Sequence, residues 1–238
     1  MKKSSLYVTI ILVFFSIIIS FLIIYTAVCN NKAMFTGLNV HDHKTIILDA
    51  GHGGIDGGTV GCDGTFEKDL NLQITIKLKY FLELYGFNVI LIRDCDKSIH
   101  DDSAKTIRQQ KVSDIHNREQ IIIKNPNSIF VSIHQNSFPD SNVYGTQVFY
   151  SGNNALSSVL AQSITDSIVQ HIQPDNKRLI KKSGTEIYLL YHSNIPSVMV
   201  ECGFMSNQKD LTKLKSDKYQ IELAITIADG IINYYKGL

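Results

Sequence analysis

The chain has 238 residues, of which 44% are hydrophobic and 19% are charged, and its formal net charge is +1. This length and apolar content suit one globular domain with a short extension. The near-neutral charge, with no basic stripe, argues against a nucleic-acid-binding surface. The cysteines Cys29, Cys62, Cys95 and Cys202 form no Cys-x-x-Cys pair, which excludes a thiolate zinc ribbon and a thioredoxin-like motif. A Cys62–Cys95 disulfide and free thiols are both open at this point.

An uncharged apolar run lies near the amino terminus. Lys2 and Lys3 precede a stretch from about Leu6 to Val28 that is rich in Ile, Leu, Val and Phe. It has roughly the 20 residues needed to cross a hydrocarbon core. We expect residues 1–29 to form one transmembrane signal-anchor, and the alternative is a cleaved signal that releases a secreted protein. The two lysines predict a cytoplasmic amino terminus and an extracytoplasmic remainder, joined by a linker at residues 30–44.

Predicted strands and helices alternate from residue 45 to residue 238. Arg93–Ser113 shows no clear period and is predicted to be a loop. The predicted strands are Ile46–Asp49, Asn88–Ile92, Ile129–His134, Thr146–Tyr150, Glu186–Leu190 and Ser197–Cys202. The predicted helices are Asp69–Leu84, Asp114–Lys124, Ala155–His171, Asn207–Leu214 and Asp217–Tyr235. The alternation predicts an α/β domain of three layers, in which helices flank a mostly parallel sheet.

Polar residues that could carry chemistry follow three of these strands. His52 follows the first strand in a glycine-rich loop, while His134 and Glu201 end two later strands, and Glu67 comes shortly after the loop. Parallel sheets bind their ligands at the carboxyl ends of the strands. Two histidines and one carboxylate are a common catalytic zinc set. His52, Glu67 and His134 therefore fit the ligand roles, and Glu201 fits the general base.

Each of these residues also has a structural interpretation. A lone histidine at a strand end can be a hydrogen-bonded structural residue, and Glu67 could cap the following helix. Glu201 is harder to explain structurally, because a carboxylate that interrupts an apolar strand needs a partner. The glycine loop could cradle phosphate, but it lacks the third glycine of G-x-G-x-x-G, and no G-K-[ST] follows it. No nucleophile-elbow sequence supports a Ser-His-Asp triad.

Three motifs occur in a fixed order along the chain. They are Ile47-Leu48-Asp49-Ala50-Gly51-His52-Gly53-Gly54 with Glu67 and Asn71, then Phe130–Ser137 with Gly145, and finally Pro196–Asn207. Together they resemble the zinc-dependent N-acetylmuramoyl-L-alanine amidases of the Amidase_3 type. The resemblance implies a sheet of six strands and hydrolysis of the amide between N-acetylmuramic acid and L-alanine in peptidoglycan. It also implies one Zn²⁺ on His52, Glu67 and His134, with Glu201 as the catalytic carboxylate.

The resemblance further implies residues that contact the substrate and a biological setting. Gln135 and Asn136 would line the groove for the stem peptide, and Arg118 stands where the family often has an arginine. A catalytic domain at residues 45–238 behind a membrane anchor looks like the CwlD-type amidases of sporulating bacteria, which prepare cortex peptidoglycan for muramic-δ-lactam formation. That setting implies the forespore intermembrane space and an activating or targeting protein partner. The alternatives are a metallopeptidase of the stem peptide and a non-catalytic, membrane-tethered wall-binding module.

Overall fold

A computed structural model of the chain describes residue 19 and residues 44–237. By its internal contacts the chain divides into two units, Met1–Val40 and His41–Leu238, and the fold is that of the second. The predicted membrane anchor at residues 1–29 and the predicted linker lie almost entirely outside the described residues. Among the described residues, no helix has the length and apolar character needed to cross a bilayer.

A six-stranded sheet forms the centre of the domain. Its strands are β1 (Thr45–Ala50), β2 (Asn88–Leu91), β3 (Ser128–Asn136), β4 (Gln147–Tyr150), β5 (Lys181–Lys182) and β6 (Ser197–Phe204). Their order across the sheet is β2-β1-β3-β6-β4-β5. Within residues 44–237, the pairing of β4 with β6 is antiparallel and the other four pairings are parallel. The prediction of a mostly parallel sheet is confirmed.

Helices cover both faces of this sheet, which confirms the three-layer architecture. The helices are α1 (Glu67–Leu84), α2 (Ile107–Ile123), α3 (Leu156–His171), α4 (Tyr188–His192), α5 (Gln208–Leu214) and α6 (Asp217–Lys236). One core joins Leu48 and other strand residues to apolar side chains of α1, α3 and α6. A second, smaller core joins Ile47 and Phe130 to apolar side chains of α2 and α4. Since neighbouring strand residues point to opposite faces, the central strands are apolar on both sides.

The register of the central strands brings polar residues together at one edge of the sheet. Asp49 of β1 pairs with Ser132 of β3, which pairs with Met199 of β6, and two residues further on His134 pairs with Glu201. Side chains two residues apart lie on the same face of a strand. His134 and Glu201 therefore lie beside one another on the face that α2 and α4 cover.

Two sequence predictions on this face are wrong. Glu186–Leu190 was expected to be a strand, but residues 188–192 form the short helix α4. The backbone N–H of Tyr191 donates to Ile187 O at 2.9 Å, which is the i to i−4 bond of a helical turn. The sheet instead contains β5, which consists of two lysines and therefore lacks the apolar residues by which a strand is predicted.

The second wrong prediction concerns the start of α2. This helix begins at Ile107, seven residues (114 − 107) before the predicted start at Asp114. Thr106 and Gln109 form a capping box, in which the Thr106 side chain accepts from Gln109 N and the Gln109 side chain accepts from Thr106 N. The cap satisfies backbone donors that the first helical turn would otherwise leave unpaired.

The two cysteines that could have formed a disulfide are free. Cys62 and Cys95 are both exposed thiols, and Cys202 is a buried one. The domain therefore closes through its apolar cores and polar contacts, without a covalent crosslink among the described cysteines.

Replacing the capping residue should weaken the start of α2. We expect Thr106→Ala to lower the free energy of unfolding by about 1 kcal/mol, the usual cost of losing an N-cap side chain. Urea unfolding followed by circular dichroism measures this difference. Ser103→Ala, at an exposed loop residue just before the helix, is the matched control and should leave the unfolding midpoint unchanged. Equal midpoints for the two variants would contradict a stabilising cap.

Candidate metal centre

His52 lies in the glycine-rich loop that leaves β1, and two features of the backbone set its position. Its own φ is 62°, in the left-handed region that side chains rarely adopt. At Gly51 a Cβ would lie only 2.1 Å from His134 Nε2. Glycine at that position therefore lets the two imidazoles approach, and their ring centroids are 4.9 Å apart.

Two buried arginines hold this loop by its backbone carbonyl groups. Arg93 donates from Nε to Ala50 O at 2.8 Å and from Nη2 to Gly51 O at 3.1 Å. Arg118 donates from Nη1 to Ala50 O at 3.2 Å and from Nη2 to His52 O at 2.8 Å. Charged donors make stronger hydrogen bonds than neutral ones. These contacts offset the strain of the left-handed backbone at His52.

Glu67, the first residue of α1, joins the two histidines. Its Oε1 lies 3.2 Å from His52 Nε2 and 3.0 Å from His134 Nδ1. Oε1 also accepts from the backbone N–H of Gln135, and Oε2 accepts from the backbone N–H of Thr59. The carboxylate is thus turned towards the histidines and the loops. Three ligand atoms, one from each of His52, Glu67 and His134, lie within 4.8 Å of one another and could hold a metal ion.

The electrostatics of this group favour the charged forms of two side chains, the carboxylate of Glu67 and the imidazolium of His52. Burial alone would raise the pKa of Glu67, but His134 and His52 hold that pKa well below its usual range. Burial alone would lower the pKa of His52, but hydrogen bonds with Asp56 and Glu67 raise it to about 9. His52 Nδ1 lies 2.8 Å from Asp56 Oδ2. A carboxylate behind a histidine is the arrangement that orients metal-binding imidazoles.

Glu201 lies beside this group on β6, directly across from His134. Within the described residues, its Oε2 is buried and has no hydrogen-bond partner. Burial is the main cause that raises the pKa of Glu201 to about 7, and the charge of Glu67 adds to the shift. A carboxyl group with a pKa near neutrality can both accept and return a proton.

The expected contact of Arg118 with the substrate stays a prediction, and within the structure this residue has a positioning role. Its guanidinium is almost fully buried. It forms ion pairs with Asp49 and, through Nε at 2.6 Å, with Asp114, and its remaining contacts are the loop carbonyl groups. Burial alone would raise the pKa of Asp49, but Arg118 holds it below its usual value. The guanidinium is therefore occupied by protein acceptors.

The structure places the side chain of Gln135 away from the groove that it was expected to line. It follows His134 directly in β3, so its side chain points to the opposite face of the sheet. It is buried there, and its Nε2 donates to Asn71 Oδ1 of α1 at 3.1 Å. Asn136 is partly exposed, and its Oδ1 accepts from Ser137 N, so a substrate contact for Asn136 stays a prediction.

A groove runs over the two histidines, and we call it the central groove. Its walls are α2 and the segment that contains α4, and Tyr188 Oη of α4 donates to Glu119 Oε2 of α2 at 3.1 Å. Residues lining the groove include His52, His134, Lys111, Ile115, Glu186 and Tyr188. Sequence reasoning missed Lys111 because it lies in the part of α2 that was predicted to be a loop. It also assigned no role to Asp56, although a carboxylate four residues after a loop histidine was a usable signal.

The described fold and centre match a known family. The model of the N-acetylmuramoyl-L-alanine amidase family Amidase_3 matches residues 46–233. The chain therefore belongs to the Amidase_3 family of N-acetylmuramoyl-L-alanine amidases. The prediction that it is a peptidoglycan amidase is confirmed.

Individual relatives agree with this assignment. The chain is 43% identical to the CwlD amidase of Clostridioides difficile, solved in complex with the GerS lipoprotein; the match covers 82% of this chain and 100% of that chain, with a TM-score of 0.79. It is 32% identical to the germination-specific N-acetylmuramoyl-L-alanine amidase of Bacillus subtilis, over 81% of this chain and 80% of that protein. It is 31% identical to the amidase AmiC2 of Nostoc punctiforme, over 81% and 97% of the two chains, with a TM-score of 0.69.

Removing the Arg118 guanidinium should destabilise the domain, because two carboxylates and two carbonyl groups lose a buried donor. We expect Arg118→Met to lower the free energy of unfolding by about 3 kcal/mol, a cost typical of breaking a buried ion pair. Arg118→Lys should lose less, since it keeps the charge but not the planar fork. Urea unfolding measures both. Arg108→Met, at an exposed residue of the same helix, is the control, and an Arg118→Met midpoint equal to its midpoint would contradict the positioning role.

Proposed function

We propose that this amidase is zinc-dependent. One zinc ion held by His52, Glu67 and His134 would serve hydrolysis of the amide between N-acetylmuramic acid and L-alanine, with Glu201 as the general base. The observation that carries the proposal is the buried Glu201 Oε2, which has no partner among the described residues and stands beside a His-Glu-His group. A buried carboxyl group without a hydrogen-bond partner lowers the stability of the fold, and groups with shifted pKa values cluster at functional sites.

The donor set fits zinc. Two imidazoles and one carboxylate are a set of protein ligands that catalytic zinc sites commonly use, and His52, Glu67 and His134 would supply them. The contact of His52 Nδ1 with Asp56 leaves Nε2 directed towards Glu67 and the centre. Bound zinc would supply Lewis acidity, which polarises a carbonyl group and makes water a stronger acid.

The side chains of the chain itself divide the remaining work. Glu201 accepts the proton of the attacking water and returns it to the nitrogen of the departing L-alanine, since its pKa of about 7 suits both steps. Asp56 orients His52 through Nδ1. Arg93 and Arg118 hold the loop that carries His52, so the ligand atoms need little rearrangement.

The relatives support a biological setting, which we include in the proposal. The similarity to the CwlD amidase and to a germination-specific amidase supports a role in spore-cortex maturation, leading to muramic-δ-lactam. The GerS complex of the CwlD relative supports a lipoprotein partner. The apolar run from Leu6 to Val28 supports a membrane anchor that places the domain on the extracytoplasmic side. Muropeptide analysis of spores from a strain that lacks the gene would test this setting, since loss of muramic-δ-lactam is expected.

Replacing the general base should stop hydrolysis without removing the metal. We expect Glu201→Gln to lower the rate of stem-peptide release from peptidoglycan by about 10³-fold, within the usual range for general acid–base catalysis. Mass spectrometry of the products measures the rate, and bound zinc should equal that of the unaltered protein. Glu67→Gln should lose both zinc and activity, while Glu222→Gln, an exposed carboxylate of α6, should keep both. Cleavage retained in Glu201→Gln would remove Glu201 from the mechanism.

Zinc binding should release a proton from His52. A metal-binding imidazole must be neutral, whereas a His52 pKa of about 9 keeps the zinc-free side chain charged at pH 7. We therefore expect release of about one proton at pH 7, and an apparent zinc affinity that rises with pH until about pH 9. Calorimetry in two buffers of different ionisation enthalpy measures the proton count. Asp56→Asn, which lowers the pKa of His52, should reduce it, and an identical heat in both buffers would contradict the coupling.

A further inference from the structure

The central groove contains one positively charged side chain that is fixed in place and still half-exposed. Lys111 of α2 keeps 51% of its side chain exposed, and its Nζ lies 2.7 Å from Asp56 Oδ1. The other oxygen of that carboxylate, Asp56 Oδ2, lies 2.8 Å from His52 Nδ1. Lys111 and His52 therefore contact the two oxygens of one carboxylate, that of Asp56, in the same groove.

Lys111 has N–H donors that its contact with Asp56 does not use. An ammonium group has three N–H donors, and the contact with Asp56 is a single short one. Arg118, which also lines the groove, already donates to Asp49, Asp114 and the loop carbonyl groups. Glu186 lines the groove too, but its Oε1 accepts from Gly184 N within its own loop. Among the described groove residues, Lys111 is thus best placed to receive an anion.

The substrate carries an anion close to the scissile bond. In peptidoglycan stems D-glutamate follows L-alanine and is linked through its γ-carboxyl group, so its α-carboxyl group is either a free carboxylate or an amide. Two extended residues span about 7 Å. The α-carboxylate therefore lies within about 7 Å of the scissile bond, and Lys111 lines the same groove as the two histidines.

We propose that Lys111 binds the free α-carboxylate of the D-glutamate that follows the scissile bond. The enzyme then favours stems that carry this carboxylate over stems in which it is amidated, because an amide loses the charge that the ammonium attracts. Asp56 fixes Lys111 for this contact while it orients His52. The inference rests on the proposed function for the position of the scissile bond.

Binding of the stem peptide tests the proposal without any need for cleavage. The probes are L-Ala-γ-D-Glu-L-Lys and the same tripeptide with an amidated D-glutamate α-carboxyl group, titrated by calorimetry into the zinc-loaded protein. We expect the carboxylate peptide to bind about tenfold more tightly, as a partly exposed charge-assisted contact allows. Lys111→Met should abolish that preference, while Lys79→Met should keep it, since Lys79 pairs with Glu83 on α1 and does not line the groove.

The outcomes separate this proposal from the proposed function. Equal binding of the two peptides by the unaltered protein would overturn the carboxylate contact, even if the protein hydrolyses peptidoglycan. An equal loss for both peptides in Lys111→Met would also overturn it, because it would show that Lys111 acts only by placing Asp56. A selective loss together with absent hydrolysis would support the contact and contradict the proposed zinc amidase mechanism. Zinc content of the Lys111→Met protein, expected to be unchanged, checks that the centre is intact.

Discussion

The domain depends on a single buried carboxylate, that of Glu67. It begins α1, approaches both His52 and His134, and accepts hydrogen bonds from the backbone of Thr59 and Gln135. A buried charge is costly unless several partners satisfy it. Here those partners come from the β1 loop, from β3 and from the segment before α1. The contacts that tie the start of α1 to the β1 loop and β3 therefore also bring together the residues of the candidate metal centre.

The residues of the centre could be predicted from sequence because of the topology of a parallel sheet. His52, His134 and Glu201 each follow an apolar strand, and the carboxyl ends of parallel strands meet at one edge. The structure brings these residues and Glu67 to that edge. The position of a polar residue after an apolar strand is visible in the sequence and does not depend on how side chains pack. This strand pattern was therefore sufficient to predict the centre.

Other features of the structure depend on contacts that sequence patterns do not contain. The start of α2 carries few apolar residues, and its signal was the capping pair Thr106 and Gln109. The family resemblance suggested that Gln135 lines the groove, whereas strand alternation turns its side chain to the other face of the sheet. The family resemblance suggested a substrate contact for Arg118, and its protein acceptors lie far away in the chain, at Asp49 and the β1 loop. Such partners become visible only in the folded chain.

The hydrogen bonds that Arg118 donates have a thermodynamic consequence. One guanidinium connects Asp114 of the groove wall to the carbonyl group of His52 in the metal loop. Through this link, a ligand that favours one position of α2 would also favour one position of the loop that carries His52. Linkage is reciprocal, so any factor by which the metal strengthens the binding of peptide is the factor by which peptide strengthens the binding of metal. Under the proposed function, binding of peptidoglycan would then raise the occupancy of the site formed by His52, Glu67 and His134.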